Sequence, residues 1–268
     1  NTVLPASIYS GYQLGTVDNK DNTVLGITAG GNLVITGAGN TAQFNTLVGK
    51  NSGNAITTGL YNTAIGAMAL DANTTGNYNV GLGSNALGYS TTANGNTAVG
   101  HAPLFDNTTG ENNVAVGKRA LLSNTTADDN TAIGFEALKT NTTGHDNIGI
   151  GKNALYANTT GLRNIGIGSL AIDGNTTGSN NVGIGYAALS DLSTGSQNTA
   201  LGMYALKAST TSSNNTAIGY ASLFANTTGT SNVGVGYAAL TANTTGGSNV
   251  ALGSSALDAN TTASHNTA

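Results

Sequence analysis

Residues 130–146 read NTAIGFEALKTNTTGHD, and residues 147–163, NIGIGKNALYANTTGLR, repeat nearly the same message. Working outward from this pair, an asparagine returns every seventeenth residue from Asn45 to Asn266 without insertion or deletion, so thirteen full units run from Asn45 to His265. The consensus is N-[TVI]-[AG]-[IVL]-G-x-x-A-L-x-x-N-T-T-G-x-x. Position 5 is Gly in every unit, and position 9 is Leu in eleven of the last twelve units and Ile172 in the other. A fixed period of this kind is the signature of a solenoid, in which each unit is one coil stacked on the last.

The unit holds a short β-favouring run ending at Gly and a second, Thr-rich run ending at Gly, with polar pairs between them. That pattern predicts an all-β, parallel β-solenoid (β-roll) of flattened 17-residue coils, in which every residue sits above its equivalent at ~4.8 Å and the array is ~60 Å long. Paired helices do not fit, because seventeen residues with regularly placed glycines are too few for them. A single tight turn at positions 6 to 9 is the one local alternative. The aliphatic columns at position 4 (Ile65, Leu82, Val99, Val116, Ile133) and position 9 are expected to form the core.

Composition agrees with a thin interior. Of 268 residues, 7% are charged and 5% aromatic, Gly numbers 39, and Trp and Cys are absent, so Ala, Val, Ile, Leu and Thr must fill the coil. Disorder is excluded by the two prolines, the net charge of −4 and the regular aliphatic columns. Without a basic run there is no electrostatic case for nucleic acid or an anionic membrane surface. No apolar stretch approaches the ~20 residues of a bilayer span, so membrane insertion is not expected, and any export signal is expected to have been removed.

Position 3 is Ala or Gly in the last twelve units. Thr at position 2 is always followed by Ala, and Val or Ile by Gly in five cases of seven. So small a residue must face something close, either the opposite wall or another chain, and another chain is the expectation. The first unit departs, with Leu47 after Thr46. Residues 1–44 form a separate, irregular segment, read as a cap or docking region. There Asn1-Thr2-Val3-Leu4 and Asn22-Thr23-Val24-Leu25 suggest two enlarged coils, with bends at Gly30-Gly31 and Gly37-Ala38-Gly39. The array proper is 45–268. It stops three residues into a fourteenth unit, which is expected to continue in a longer chain or into another subunit.

Asn62, Asn79, Asn96, Asn113, Asn130, Asn147, Asn164, Asn181, Asn198, Asn215, Asn232 and Asn249 at position 1 read as a structural amide ladder. The N-T-T triplets place N-x-[ST] acceptor patterns at Asn73, Asn107, Asn124, Asn141, Asn158, Asn175, Asn226, Asn243 and Asn260, with a further one at Asn214, so N-glycosylation is a candidate although a turn preference generates the same pattern. The Thr column at position 13 (Thr142, Thr159, Thr176) is a candidate ice-binding face. Tyr186, Tyr204, Tyr220 and Tyr237 form a candidate aromatic strip for ligand contact, sugar rings in particular. His101, His145 and His265 lie in different columns, and Asp128-Asp129 and His145-Asp146 belong to a variable polar corner. Neither a catalytic centre nor a metal or cofactor site is expected.

N-T-A-I-G followed by A-L and T-T-G, as at Asn62 to Gly76 and, with S-L for A-L, at Asn215 to Gly229, resembles the head repeats of trimeric autotransporter adhesins of the Yersinia-adhesin type and similar repeats of bacteriophage tail-fibre proteins. The likeness covers residues 45–268. It implies a parallel β-roll, commonly homotrimeric, that projects from a cell surface or virion and contacts a host glycan or matrix. The coil is longer than in those adhesin heads. The expectation carried forward is an extracellular, non-enzymatic fibre or adhesin-type segment, shaft or head, that associates with itself, with recognition of glycan or ice through a repeated Tyr or Thr column as the alternative.

Overall fold

A computed structural model of the chain describes residues 22–32 and 42–268. It is an all-β parallel solenoid. Fourteen strands of three residues, β1 (Thr23–Leu25), β2 (Thr46–Val48), β3 (Thr63–Ile65) and then one per unit to β14 (Val250–Leu252), pair in sequence order in a single parallel sheet. Register follows the repeat: Thr131 pairs with Ile148, Ala132 with Gly149 and Ile133 with Ile150. The ladder also reaches into the irregular N-terminal segment, where Thr23 pairs with Thr46 across 23 residues, the spacing read from the sequence for that enlarged coil. The coil expected at Asn1 and the bend at Gly37-Ala38-Gly39 lie outside the described residues.

Each strand is short enough that alternation decides everything: position 3 points in, and positions 2 and 4 point out. Ala132 is fully buried, whereas Ile133 at position 4 is 39% exposed. The aliphatic column at position 4 is therefore an outer face, which corrects its expected place in the core. Position 9 does form the core, with Leu138, Leu155 and Ile172 fully buried.

Small residues at position 3 answer to that column. A Cβ added at Gly149 would lie 3.2 Å from Leu138 Cγ of the preceding coil and 3.2 Å from the Ala154 carbonyl oxygen, and one at Gly183 would lie 2.6 Å from Ile172 Cγ1. Position 3 thus faces the opposite wall of its own solenoid. The expectation that it meets another chain is overturned, because the bulk that limits it is the interior leucine.

Position 5 turns the chain out of the strand. Gly134 has φ +136°, and an added Cβ would come within 2.5 Å of the Gly151 carbonyl oxygen one coil on, so both conformation and spacing demand glycine. Turns then run through positions 6 to 11, longer than the single tight turn at 6 to 9 that the sequence left open. Within them positions 7 and 9 are left-handed without being glycine, as at Glu136 (φ 55°) and Leu138 (φ 51°), and position 17 is the same at Asp146 (φ 59°). Each such residue costs about 1–2 kcal/mol. At position 9 the cost is offset by complete burial of a leucine, worth roughly 1.5–3 kcal/mol.

The opposite wall, at positions 12 to 14, is tied coil to coil by backbone bonds such as Thr142 N–H to Thr159 O (3.0 Å) and Thr159 N–H to Thr176 O (2.9 Å). The first full unit meets the same constraints with different residues. Gly53 replaces the leucine at position 9, and Leu47 at position 3 and Ile56 at position 12 fill the space: a Cβ at Gly53 would lie 2.7 Å from Leu47 Cδ2 and 2.8 Å from Ile56 Cδ1.

Candidate functional site

Two asparagine columns run inside the solenoid. At position 1, Asn147 N–H donates to Asn130 Oδ1 (3.0 Å), its Nδ2 donates to that same oxygen (3.2 Å) and to Gly161 O (2.9 Å), and its Oδ1 accepts from Asn164 N–H (2.9 Å). The same backbone-to-amide link repeats without a break from Asn22 to Asn266. Each amide staples the start of its coil to the carbonyl fourteen residues later that closes it.

The acceptor-pattern asparagines occupy position 12, and they too are interior. Asn141 Nδ2 donates to Asn124 Oδ1 (3.0 Å) and to Gly144 O (2.8 Å), and Asn158 Nδ2 donates to Asn141 Oδ1 (2.9 Å). Asn73, Asn107, Asn124, Asn141, Asn158, Asn175, Asn226 and Asn243 are fully buried, and Asn260 keeps the same bonds with partial exposure. A glycan joins at Nδ2, the atom these residues spend on the ladder, so the folded coil has no room for glycosylation at these positions. Asn214, in a different column, is exposed.

The outer face of the sheet is a continuous uncharged surface along the described units. From Thr46 to Leu252, position 2 is always Thr, Val or Ile and position 4 always Val, Ile or Leu, with no charge in either column. Away from the last coil the most open position-4 residues of these units are Ile133 (39%), Leu82 (42%) and Leu201 (45%). Position 6 borders this face with the exposed Phe135, Tyr186, Tyr220 and Tyr237 and, in other units, with Lys50, Lys118 and Lys152. From position 2 to position 4 the strip is ~7 Å wide, and over thirteen rungs it is ~60 Å long.

The four predicted tyrosines do come together, with ring centroids 5.5 Å apart for Tyr186–Tyr204, 6.2 Å for Tyr204–Tyr220 and 5.4 Å for Tyr220–Tyr237. The structure adds two residues that the sequence did not single out. Phe224 lies 6.3 Å from Tyr204, and Lys207, paired with Asp191 at 3.3 Å, completes an open groove of about 450 Å³ shared with Tyr220, Ala221 and Thr241. They sit at position 10 of their units, and only the folded corner brings that position beside position 7. A second file, Phe44–Tyr61–Tyr78, stacks nearly parallel at 4.8 and 5.1 Å along position 17.

The polar corner has an architectural use. Side chains at position 16 accept backbone N–H groups from the coil before: Asp128 Oδ1 from Glu111 (2.7 Å), Ser179 Oγ from Leu162 (3.0 Å). His145 Nδ1 and Asp146 Oδ2 lie 2.8 Å apart at the surface. Beside the turn, Glu136 bonds both Arg119 (3.3 Å) and Lys139 (3.0 Å); burial pushes its carboxyl up, but the two cations more than offset this and hold it below its ordinary value. Among the described residues no group of three or more His, Cys, Asp or Glu is arranged to hold a metal, and no helix is long and apolar enough to cross a membrane.

Fold and surface together define a class: a tandem-repeat parallel β-solenoid whose outward sheet columns, positions 2 and 4, stay uncharged from coil to coil. No protein-family model matches the chain, and no curated protein matches it.

Proposed function

We infer that the chain is a structural, non-catalytic segment of an extracellular fibre or adhesin-type repeat protein, a surface-projecting shaft or head on a cell or virion, and that its coils pack against further copies through the outer sheet face. The observation that carries this reading is the uninterrupted, uncharged strip of positions 2 and 4, aliphatic throughout at position 4. At ~7 Å by ~60 Å it offers on the order of 400 Å², about half the area that one partner contributes to a standard stable interface. An exposed apolar patch of a few hundred Å² on a soluble chain is often functional. A homotrimer is the arrangement that the resemblance to adhesin heads implies, with position 4 turned to the axis in place of the small-residue column.

Sedimentation equilibrium of the purified chain tests it. The wild type is expected as a trimer or higher assembly. The triple variant Val116→Lys, Ile133→Lys, Ile150→Lys, altered only at outward positions, is expected as a monomer with an unchanged circular dichroism spectrum. A wild type that stays monomeric at micromolar concentration removes self-association and leaves the solenoid intact.

A second reading, contact with glycan, is favoured by the groove at Tyr204, Tyr220 and Phe224, where aromatic walls and the Lys207 ammonium offer both stacking and a hydrogen-bond donor to a sugar ring. Saturation-transfer NMR against a panel of neutral and acidic oligosaccharides checks it, with Tyr220→Ala as the variant expected to lose the signal.

A further inference from the structure

The position-14 column sets one hydroxyl and one methyl on the surface of every coil. From Thr58 through Thr143 to Thr262 it is threonine in all thirteen units, and all thirteen are exposed. Exposed columns elsewhere in the unit drift freely: position 17 carries Tyr78, Asn112, Asp129, Arg163 and Gln197. An exposed position that never varies within one chain needs a reason, and the internal contacts do not supply one.

The neighbouring column shows what an internal reason looks like. At position 13 the hydroxyl is engaged, as Thr142 Oγ1 donates to Thr159 O (3.0 Å) and Thr159 Oγ1 to Thr176 O (2.9 Å). That column nevertheless accepts serine at Ser193, which makes the same bond to Thr210 O (2.9 Å). The sequence expectation of a free Thr face at position 13 is thus corrected: those hydroxyls belong to the ladder. At position 14 no hydroxyl has a hydrogen-bond partner in the chain among the described residues. Positions 13 and 14 form a bend in which position 13 spends its hydroxyl on the ladder and position 14 is the exposed one.

The file is also held in place. Backbone N–H groups of position 14 donate to the carbonyl of position 13 one coil on, as from Thr75 to Thr91 (3.4 Å), Thr143 to Thr159 (3.2 Å) and Thr160 to Thr176 (3.2 Å). Successive threonines are therefore one rung apart, ~4.8 Å, along a file of ~58 Å. A pre-ordered array loses little entropy on binding, and each of its weak contacts is multiplied along its length.

We propose that the position-14 threonine file is a recognition surface for a solid that repeats at nearly the rung spacing, namely the surface of ice. The ligand must be periodic, because the array is. Water molecules in the ice lattice repeat at nearly this period, and threonine suits such a surface in two ways: its hydroxyl substitutes for a lattice water and its methyl seats in the hollow beside it. A polysaccharide surface fits less well, since the file holds no aromatic ring and no charge against which a sugar would stack or pair. This site is independent of the outer sheet face, so an ice surface and further copies of the chain do not compete for one column.

The test is the growth of a single ice crystal in a solution of the purified chain, followed as the gap between melting and freezing points and as crystal habit. The wild type is expected to facet the crystal and to open a gap that grows with concentration. The variant Thr126→Lys, Thr143→Lys, Thr160→Lys is expected to lose most of the gap, while Asn112→Lys, Asp129→Lys, Asp146→Lys, three exposed changes in the position-17 column, retains it. Thermal unfolding by circular dichroism verifies that both variants fold. A wild type that leaves the crystal round with no gap overturns the proposal, as does a folded position-14 variant that keeps its activity or a position-17 variant that loses it equally.

Discussion

The two buried asparagine columns look alike in sequence and differ in what the fold asks of them. Position 1 is asparagine in every coil from Asn22 onward, whereas position 12 lapses to Ile56, Ser90, Leu192 and Ser209. The hydrogen bonds explain the asymmetry. A position-1 amide serves backbone: it takes the next coil's N–H and reaches the carbonyl that closes its own coil. A position-12 amide shares that carbonyl with position 1, as Gly144 O accepts both Asn130 Nδ2 (2.9 Å) and Asn141 Nδ2 (2.8 Å), and otherwise bonds its own kind. Where leucine intervenes at position 192, Gly195 O still receives Asn181 Nδ2 (2.9 Å), and the oxygen left unpaired is Asn175 Oδ1. A buried polar group that satisfies backbone is obligatory, and one that mainly satisfies its neighbour is replaceable by an apolar side chain of similar size.

The largest effect should come from breaking position 1. Asn147→Ala strands the Asn164 N–H and weakens closure at Gly161 O in a dry interior. At about 1–3 kcal/mol for the unsatisfied N–H, with Gly161 O left to Asn158 Nδ2 alone, roughly 2–3 kcal/mol of stability is expected to go, with amide exchange accelerating first at Asn164. Asn141→Leu, six residues away, copies what Leu192 already does and should cost only about 1 kcal/mol, chiefly the orphaned Asn124 Oδ1. Equal losses from the two variants in denaturant melts would erase the distinction between the columns.

A smaller effect of opposite sign is expected where the second column can be mended. Asn73 Oδ1 and Ser90 Oγ are both buried without a partner. Ser90→Asn places an amide between Asn73 and Asn107, and the Ala93 that follows is no obstacle, since Asn124 bonds Ala127 O (3.0 Å) in the equivalent setting. Stability should rise by about 1 kcal/mol, read as a higher thermal midpoint. A fall would mean that the serine site lacks the space the other coils provide.

Much of this was legible before any coordinates. The period, the parallel stacking and the position-1 ladder follow from the spacing of Asn45 to Asn266 and the amide chemistry of asparagine. What failed was the assignment of faces. Ile133 and Leu138 are equally apolar on paper, yet one points out of a three-residue strand and the other reaches inward through a left-handed backbone that no leucine advertises in sequence. The small residues at position 3 carried the missing signal: alternation about Ala132 puts Thr131 and Ile133 on one side and requires a bulky neighbour on the other. Burial of the N-T-T asparagines was unreadable for a different reason, because an acceptor pattern and a ladder share the same letters.

The last and smallest effect tests the corner where the second column lapses. Asp173 precedes Gly174-Asn175, beside the coil that carries Asp191 and Leu192. Burial pushes its carboxyl up to about 6, aided by the nearby Asp191 carboxylate and opposed by its own backbone hydrogen bond and by Lys207. An unfolded aspartate titrates near ~3.9, so between those values the folded chain binds the proton more tightly than the unfolded one. Stability from this group is therefore full below about pH 4 and is lost as pH rises through about 6. Asp71 and Asp106, also raised by burial, add slope of the same sign, so the contribution of Asp173 is read as a difference. The thermal midpoint of the wild type is expected to climb between pH 7 and pH 5, and Asp173→Asn, neutral throughout, should climb less while matching or exceeding the wild type at pH 7. If both proteins climb equally, the carboxylate is as well solvated as an unfolded one and the corner is open to water.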